Sequence, residues 1–287
     1  MLSYMRGLQK TSDSVNMVMN MKIIEYFSSE HPEHWLSEIG RCDWHAGQFL
    51  HQLLRDGQFH SLLGEKSKLL LLTEGNHLIA FCTYAQRDEI PTEELTPWTS
   101  FVYTFPQDRG KRRIGKLLEY VYLQTKADGY PCVYISTDHT GLYEKYGCTF
   151  WKTMQDAEGN DCRIYRMEIE SRDYSGILGR QVSGTIDRPM GSAHPRHPDM
   201  IYPINYGYVD GVFAGDGAEQ DAYVFGPSKP IRTFTGTVIA VLHRLNDCED
   251  KWIVSTDGSR PDRDGILQAI AFQEQYYMGE LYERADC

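Results

Sequence analysis

The chain has 287 residues, room for two ordinary domains, and its apolar and charged fractions of 41% and 24% are those of a globular protein. Its net charge of −11 divides into −5 over residues 1–174 and −6 over residues 175–287, leaving no basic face and excluding a general nucleic-acid binder. No apolar run is long enough to cross a bilayer, and seven cysteines without close pairs argue against a disulfide framework or a zinc site, so the expected setting is the cytoplasm, away from membranes.

Residues 1–21 read as a loose extension without a signal-peptide core, and KIIEYF from Lys22 begins the first strand pattern. WHAGQFLHQLLRDG then sets Ala46, Phe49, Leu50, Leu53 and Leu54 at helical spacing, with Gly57 as a stop. KLLLLT and HLIAFCTYA form a hairpin around Glu74-Gly75-Asn76, and PWTSFVYTF is a further strand. RGKRRIG leads into a helix carrying Leu117, Leu118, Val121 and Leu123, which ends at Gly129-Tyr130-Pro131. CVYIST is a buried strand, GLYEKYG a short helix, and Cys148–Met154 with Cys162–Ile169 a last hairpin. This mixture predicts one α+β domain over residues 22–170. Residues 171–177 are polar and read as a linker. From residue 178 to 287, short strands separated by Gly and Pro turns, and a helix from Asp264 to about Glu283, predict a small β-barrel with a terminal helix.

Two places carry chemistry. Arg109, Lys111, Arg112 and Arg113, with Gly110, precede the helix that Ile114 and Gly115 enter. Cations are unfavourable at a helix N-terminus, where the dipole prefers anions, unless a negative ligand arrives. A strand, a glycine-bearing turn and a helix together aim backbone N–H groups at a phosphate. FVYTFPQDRGKRRIGKLLEYV followed by CVYISTDHTGLYEKYGCTFW resembles the GNAT family of acetyl-CoA-dependent N-acetyltransferases over roughly residues 22–170. The resemblance implies a mixed sheet with flanking helices, an amine acceptor (a small molecule or a peptide) and acetyl-CoA, whose pyrophosphate would rest on Arg109–Gly115. The family's loop, Q/R-x-x-G-x-G/A, is altered here: Arg113 stands at its first glycine, or one residue is inserted and Arg109 leads. Leu142-Tyr143-Glu144-Lys145-Tyr146-Gly147 matches the family's general-acid segment, which makes Tyr143 the proton donor to the leaving thiolate. For the general base, Asp138 and His139 precede the Tyr143 helix, and Ser100 and Tyr103 lie on the central strand. Among them the ring nitrogen of His139 is the candidate to take the amine's proton.

The second place is YPINYGYVDGVFAGDGAEQDAYV, where Asp216 and Asp221 flank a glycine turn. Hard cations such as Mg²⁺ take oxygen ligands and bridge carboxylates to phosphate. DRPMG, YPINYGY, DGAEQDAYV, EDKW and FQEQYY, in that order, resemble the soluble Mg²⁺-dependent inorganic pyrophosphatases over roughly residues 178–280. The resemblance implies an OB-like barrel that binds phosphate or pyrophosphate through Arg188, Tyr206, Lys251 and Tyr276. It implies metal ligands at Asp216 and Asp221, with Asp247, Glu249 and Asp250 competing for a later place. The family's middle loop carboxylate is Ala218 here, with Glu219 adjacent as a longer-armed substitute. Three readings stand: an N-acetyltransferase carrying an altered pyrophosphatase-like domain, a Mg²⁺-dependent phosphoanhydride hydrolase, and a ligand sensor that turns nothing over.

Overall fold

The computed structural model describes residues 21–247 and 249–284, so the expected N-terminal extension lies, except for Met21, outside the described residues. Seven strands form a first sheet in the order β1-β2-β3-β4-β5-β7-β6. They are β1 (Met21–Glu25), β2 (Lys68–Glu74), β3 (His77–Ala85), β4 (Trp98–Thr104), β5 (Cys132–Thr137), β6 (Thr149–Gln155) and β7 (Asp161–Glu168). Helices α1 (Pro32–Ile39), α2 (His45–Arg55) and α3 (Phe59–Leu63) cover one face, and α4 (Ile114–Ala127) covers the other. The unbroken apolar run of β2 follows from that sandwich. Leu70 and Leu72 join the core under α4, while Leu69 and Leu71 join the one with Trp35, Ile39, Leu50 and Phe59. A strand buried on both faces cannot alternate with polar residues. On α4, Leu117, Leu118 and Val121 are fully buried, worth about 1.5–3 kcal/mol apiece.

The parallel pair in this sheet is β4 with β5, in register at Trp98 opposite Tyr134 and joined by Tyr134 N–H donating to the Pro97 carbonyl at 3.0 Å. A bulge follows on β4: its register with β3 shifts between Tyr103 and Ser100, and Phe101 takes a φ of 50°. Ladder hydrogen bonds between β4 and β5 stop there, which leaves an opening in the middle of the sheet.

Strands β8 (Gln181–Arg188), β11 (Asn205–Phe213), β12 (Glu219–Phe225), β13 (Thr233–Arg244) and β14 (Asp250–Ser255) close a five-stranded barrel, because β13 pairs with both β8 and β14. A small hairpin, β9 (Ala193–His194) with β10 (His197–Ile201), stands apart. Val182, Ile186, Val209, Ala222, Phe234, Val241 and Trp252 fill one cluster. Tyr206, Tyr223, Leu242 and Ile253 fill another, against Ile266 and Ile270 of α5 (Arg263–Glu274). The terminal helix is shorter than the sequence predicts. It stops at Glu274, and Gly279–Glu283 forms β15, an added strand on β13. Its alternation is that of a strand: Leu281 is buried, while Glu280 and Tyr282 both reach Lys126.

The barrel is seated on α4. Met278 enters the core of the first sheet, and Lys126 Nζ lies 2.8 Å from both Glu280 carboxylate oxygens. Gly147, with a φ of 79°, packs so closely that a Cβ would meet the Leu245 carbonyl oxygen at 2.7 Å.

Candidate functional site

The turn between β4 and α4 is built from left-handed backbone, with Gly110 at φ 80° and Arg112 at φ 54°. Its consequence is a run of donors. The backbone N–H groups of Gly110, Lys111, Arg112, Arg113 and Ile114 make no hydrogen bond among the described residues, and the first helical bonds start from Gly115 and Lys116. Gly115 is buried because α4 begins against Tyr146, whose ring would lie 3.2 Å from an added Cβ. The four cations do not act together. Arg113 turns back to Asp108 at 3.1 Å and Glu74 at 3.8 Å. Arg109 donates to the Thr104 carbonyl at 2.9 Å and sits over the Tyr103 ring. Lys111 lies at the edge, 3.5 Å from the Gln107 carbonyl, and Arg112 is exposed without a side-chain partner among the described residues. Lys111 and Arg112 are therefore the cations free to meet an anion at the unpaired amides.

Tyr143 lies in the 3₁₀ turn Tyr143–Tyr146, 5% exposed, in the cluster under α4 that also holds Val102 of β4 and Ile135 of β5. Its hydroxyl makes no hydrogen bond among the described residues, and burial pushes its pKa well up, so it stays protonated. His139 sits past the end of β5, exposed, with its backbone N–H donating to Thr137 Oγ1 at 3.1 Å and no partner for its ring among the described residues.

Sequence reasoning passed over the acids beside the sheet opening. Asp88, in the loop after β3, is half-buried and accepts from the Ser100 hydroxyl of β4 and, at 2.9 Å, from the Ser136 hydroxyl of β5. It thereby bridges the two strands where their ladder has ended. Glu89 Oε1 also lies 2.9 Å from Ser136 Oγ. Neither acid has a Lys or Arg partner among the described residues. Burial raises the Asp88 carboxyl above its ordinary range, against the pull of Ser100 and Ser136; Glu89 rises through burial and the charge of Asp88. The available signal was two adjacent acids directly after a buried strand (RDEIPTEEL).

In the barrel, Tyr206, Asp221 and Lys251 are brought together with Glu249. Lys251, 1% exposed, donates to both Asp221 and Glu249. Burial and the Asp221 charge hold the Tyr206 pKa far up. Asp216 is exposed; the Ala218 N–H at 2.9 Å holds its carboxyl below the usual range. Arg188 pairs with its neighbour Asp187, and Tyr276 is exposed past the end of α5. Glu219 is taken by the Gly211 N–H at 3.1 Å and Asp247 by Arg244 at 2.9 Å. Arg244 was not foreseen. It is 2% exposed, meets Glu274 at 2.8 and 2.7 Å and lies against the Tyr277 ring at 3.6 Å. Of the carboxylates expected to hold Mg²⁺, Asp221 is committed to an ammonium and Asp247 to a guanidinium, Asp216 and Glu219 accept from backbone N–H groups, and no group of three metal-ligating side chains converges among the described residues. This donor set does not fit a divalent ion.

No protein-family model and no curated protein matches the sequence. Solved structures resemble it weakly and repeatedly. An acetyltransferase assigned to the GNAT family from Desulfovibrio desulfuricans shares 15% identity, covers 53% of this chain and 100% of its own, and has a TM-score of 0.41. The aminoglycoside 6'-N-acetyltransferase from Enterococcus faecium shares 12% identity over 53% of this chain and 99% of its own, with a TM-score of 0.40. An inorganic pyrophosphatase from Ehrlichia chaffeensis shares 17% identity over 37% of this chain and 87% of its own, with a TM-score of 0.30.

Proposed function

We propose that the chain is an N-acetyltransferase that moves the acetyl group of acetyl-CoA onto an amine, through a domain at residues 22–170 joined by a linker at 171–177 to the barrel. The observation that carries this reading is the run of unpaired N–H groups from Gly110 to Ile114, next to a sheet opening with a buried phenol on one face and two uncompensated carboxylates on the other. Backbone donors in a turn before a helix suit a pyrophosphate, and Lys111 and Arg112 add charge beside it. The opening between β4 and β5 offers the thioester a place where its carbonyl meets no competing ladder. The amine nitrogen forms a bond to the thioester carbon and passes its proton to Asp88, directly or through a water at Glu89. The tetrahedral intermediate then expels the thiolate as the C–S bond breaks, and Tyr143 gives that sulfur its proton. Asp88 thus takes the role assigned on sequence grounds to His139, whose ring faces solvent.

We read the barrel as a structural partner of α4 in which Asp221, Lys251, Asp247 and Arg188 are tied into ion pairs, and no step is routed through Mg²⁺. The test is a direct one. Acetyl-CoA raises the melting temperature, as a ligand of the folded state must, and an amine panel yields free thiol with at least one acceptor. No shift with acetyl-CoA and no thiol across the panel would overturn the reading.

A further inference from the structure

The Tyr143 hydroxyl has no hydrogen-bond partner among the described residues, so nothing at the oxygen itself aims it. Its direction is set by the turn that carries it, and that turn is slight. Tyr143–Tyr146 is a four-residue 3₁₀ turn between Gly141 and Gly147, which take φ of 71° and 79°. A single such turn makes too few internal bonds to hold its own orientation. It has to be gripped from outside.

On the side of the first sheet, Glu144 accepts from the Tyr165 hydroxyl of β7 at 2.7 Å. On the other side the grip comes from the barrel. Where β13 ends, the Leu245 carbonyl oxygen faces Gly147 with no side chain between the two backbones, which is why a Cβ there would meet it at 2.7 Å. The next residue, Asn246, spans the junction. Its Nδ2 donates to the Lys145 carbonyl at 3.4 Å, across 101 residues of chain, and its Oδ1 accepts from the Met278 N–H at 3.0 Å. A carbonyl needs the donor half of the amide and an N–H needs the acceptor half, so the two partners fix which way round it sits.

Met278 anchors this bridge. Leu245 N–H donates to the Met278 carbonyl at 2.8 Å, so both of its backbone groups are held by the end of β13. Its side chain, 1% exposed, enters the cluster that contains Tyr143 and Tyr146. The barrel's seat therefore has two parts. One, at Lys126 and Glu280, holds the far end of α4. The other, at Asn246 and Met278, holds the turn that bears Tyr143.

We propose that the barrel aims the proton donor: Asn246, anchored on Met278, is a positioning residue for Tyr143, and the first domain relies on it for turnover and not for holding acetyl-CoA. The inference rests on the reading of Tyr143 as the acid. Proton transfer needs the O–H within hydrogen-bond reach of the leaving sulfur, and a displacement of about 1 Å can cost about 10²-fold. Asn246 makes no hydrogen bond to the Gly110–Ile114 turn among the described residues, so its loss leaves the unpaired amides in place.

The test is a double-mutant cycle on the full chain, with thiol release measured on an amine that the parent accepts, at a temperature where every variant is folded. Asn246→Asp keeps an oxygen for the Met278 N–H and puts an acceptor where the donor to Lys145 was. It is expected to lower kcat about tenfold, with KM for acetyl-CoA within about twofold. Asn246→Ala, which removes the donor without adding charge, shares the loss. In a Tyr143→Phe background, Asn246→Asp is expected to change kcat by no more than about twofold, because an absent acid cannot be misaimed. Glu280→Gln, in the other part of the seat, leaves kcat unchanged. Unaltered kcat in either Asn246 variant, a loss that multiplies with that of Tyr143→Phe, or an equal loss in Glu280→Gln would overturn the proposal alone. Tyr143→Phe without effect removes the acid itself, and a parent chain that releases no thiol removes the transferase reading; either result takes this inference with it.

Discussion

Two polar regions of this molecule use the same residue types to opposite ends. At the start of α4, five consecutive backbone donors are unmet among the described residues, and the carboxylates of Asp88 and Glu89 beside the sheet opening have no cation there. Beneath α5, Lys251 and Arg244 are 1% and 2% exposed, and between them they engage Asp221, Glu249, Asp247 and Glu274. Unmet groups at a surface are kept by water and are free for a ligand. Groups paired in the interior are part of the architecture, because separating them exposes a buried charge. Arginine, lysine and aspartate therefore mark a ligand site in the first region and a structural clamp in the second.

The largest effect should come from breaking the clamp. Glu274→Ala removes two of the three carboxylate hydrogen bonds of the buried Arg244 guanidinium, leaving Asp247, and is expected to destabilise the chain by about 3–5 kcal/mol, read from the denaturant midpoint. Acetyl transfer at a temperature where the variant is folded should change little. Asp88→Asn offers the contrast. Above the usual carboxylate range the unfolded Asp88 is ionised while the folded chain, whose Asp88 pKa is raised by burial, still holds the proton. The folded state binds more protons there, so its stability falls as pH rises through that window. Replacing Asp88 with Asn should leave stability at neutral pH equal or higher. A large loss would put Asp88 in the architectural group.

Next in size are the catalytic predictions. Tyr143→Phe is expected to lower kcat by about 10²-fold, with KM for acetyl-CoA within about twofold, since the phenol meets the sulfur only as it leaves. Asp88→Asn is expected to lower kcat by a similar factor and to alter the pH profile. Asp88 serves as base only when ionised, so kcat/KM of the parent falls as pH drops through a pKa above the ordinary carboxylate range. That acid limb should be missing in the variant, once the titration of the amine itself is matched between the two. Identical limbs would remove Asp88 from the role.

Much of the fold was legible because its signals are local. KLLLLT, HLIAFCTYA and CVYIST announce buried strands by their unbroken apolar runs, and Gly57 and Gly129 mark where α2 and α4 end. The terminal helix was over-extended because FQEQYYMGELYE carries two periods in succession, and only pairing with β13 decides where the second begins. The site was legible in part. Tyr143 and the α4 turn are contiguous motifs. Asp88 acts through Ser100 and Ser136, 12 and 48 residues away, and the sequence contains no sign that those strands part at that point. The pairs of Lys251 with Asp221 and of Arg244 with Glu274 were invisible for the same reason, since each closes over 30 residues.

The smallest prediction separates two neighbouring arginines. Arg113 is bound to Asp108, which is 5% exposed, so Arg113→Gln strips a buried carboxylate of one partner and should appear as lost stability. Arg112 has no such partner among the described residues, and Arg112→Gln should leave stability unchanged while weakening acetyl-CoA by about 1 kcal/mol or less, roughly fivefold. Because Arg112 is exposed, that loss should shrink as salt is raised past the point where the screening length falls below about 10 Å. Equal effects of the two substitutions on cofactor affinity would mean that Arg113 leaves Asp108 when the ligand binds, and the line between free and committed charges at this turn would have to be redrawn.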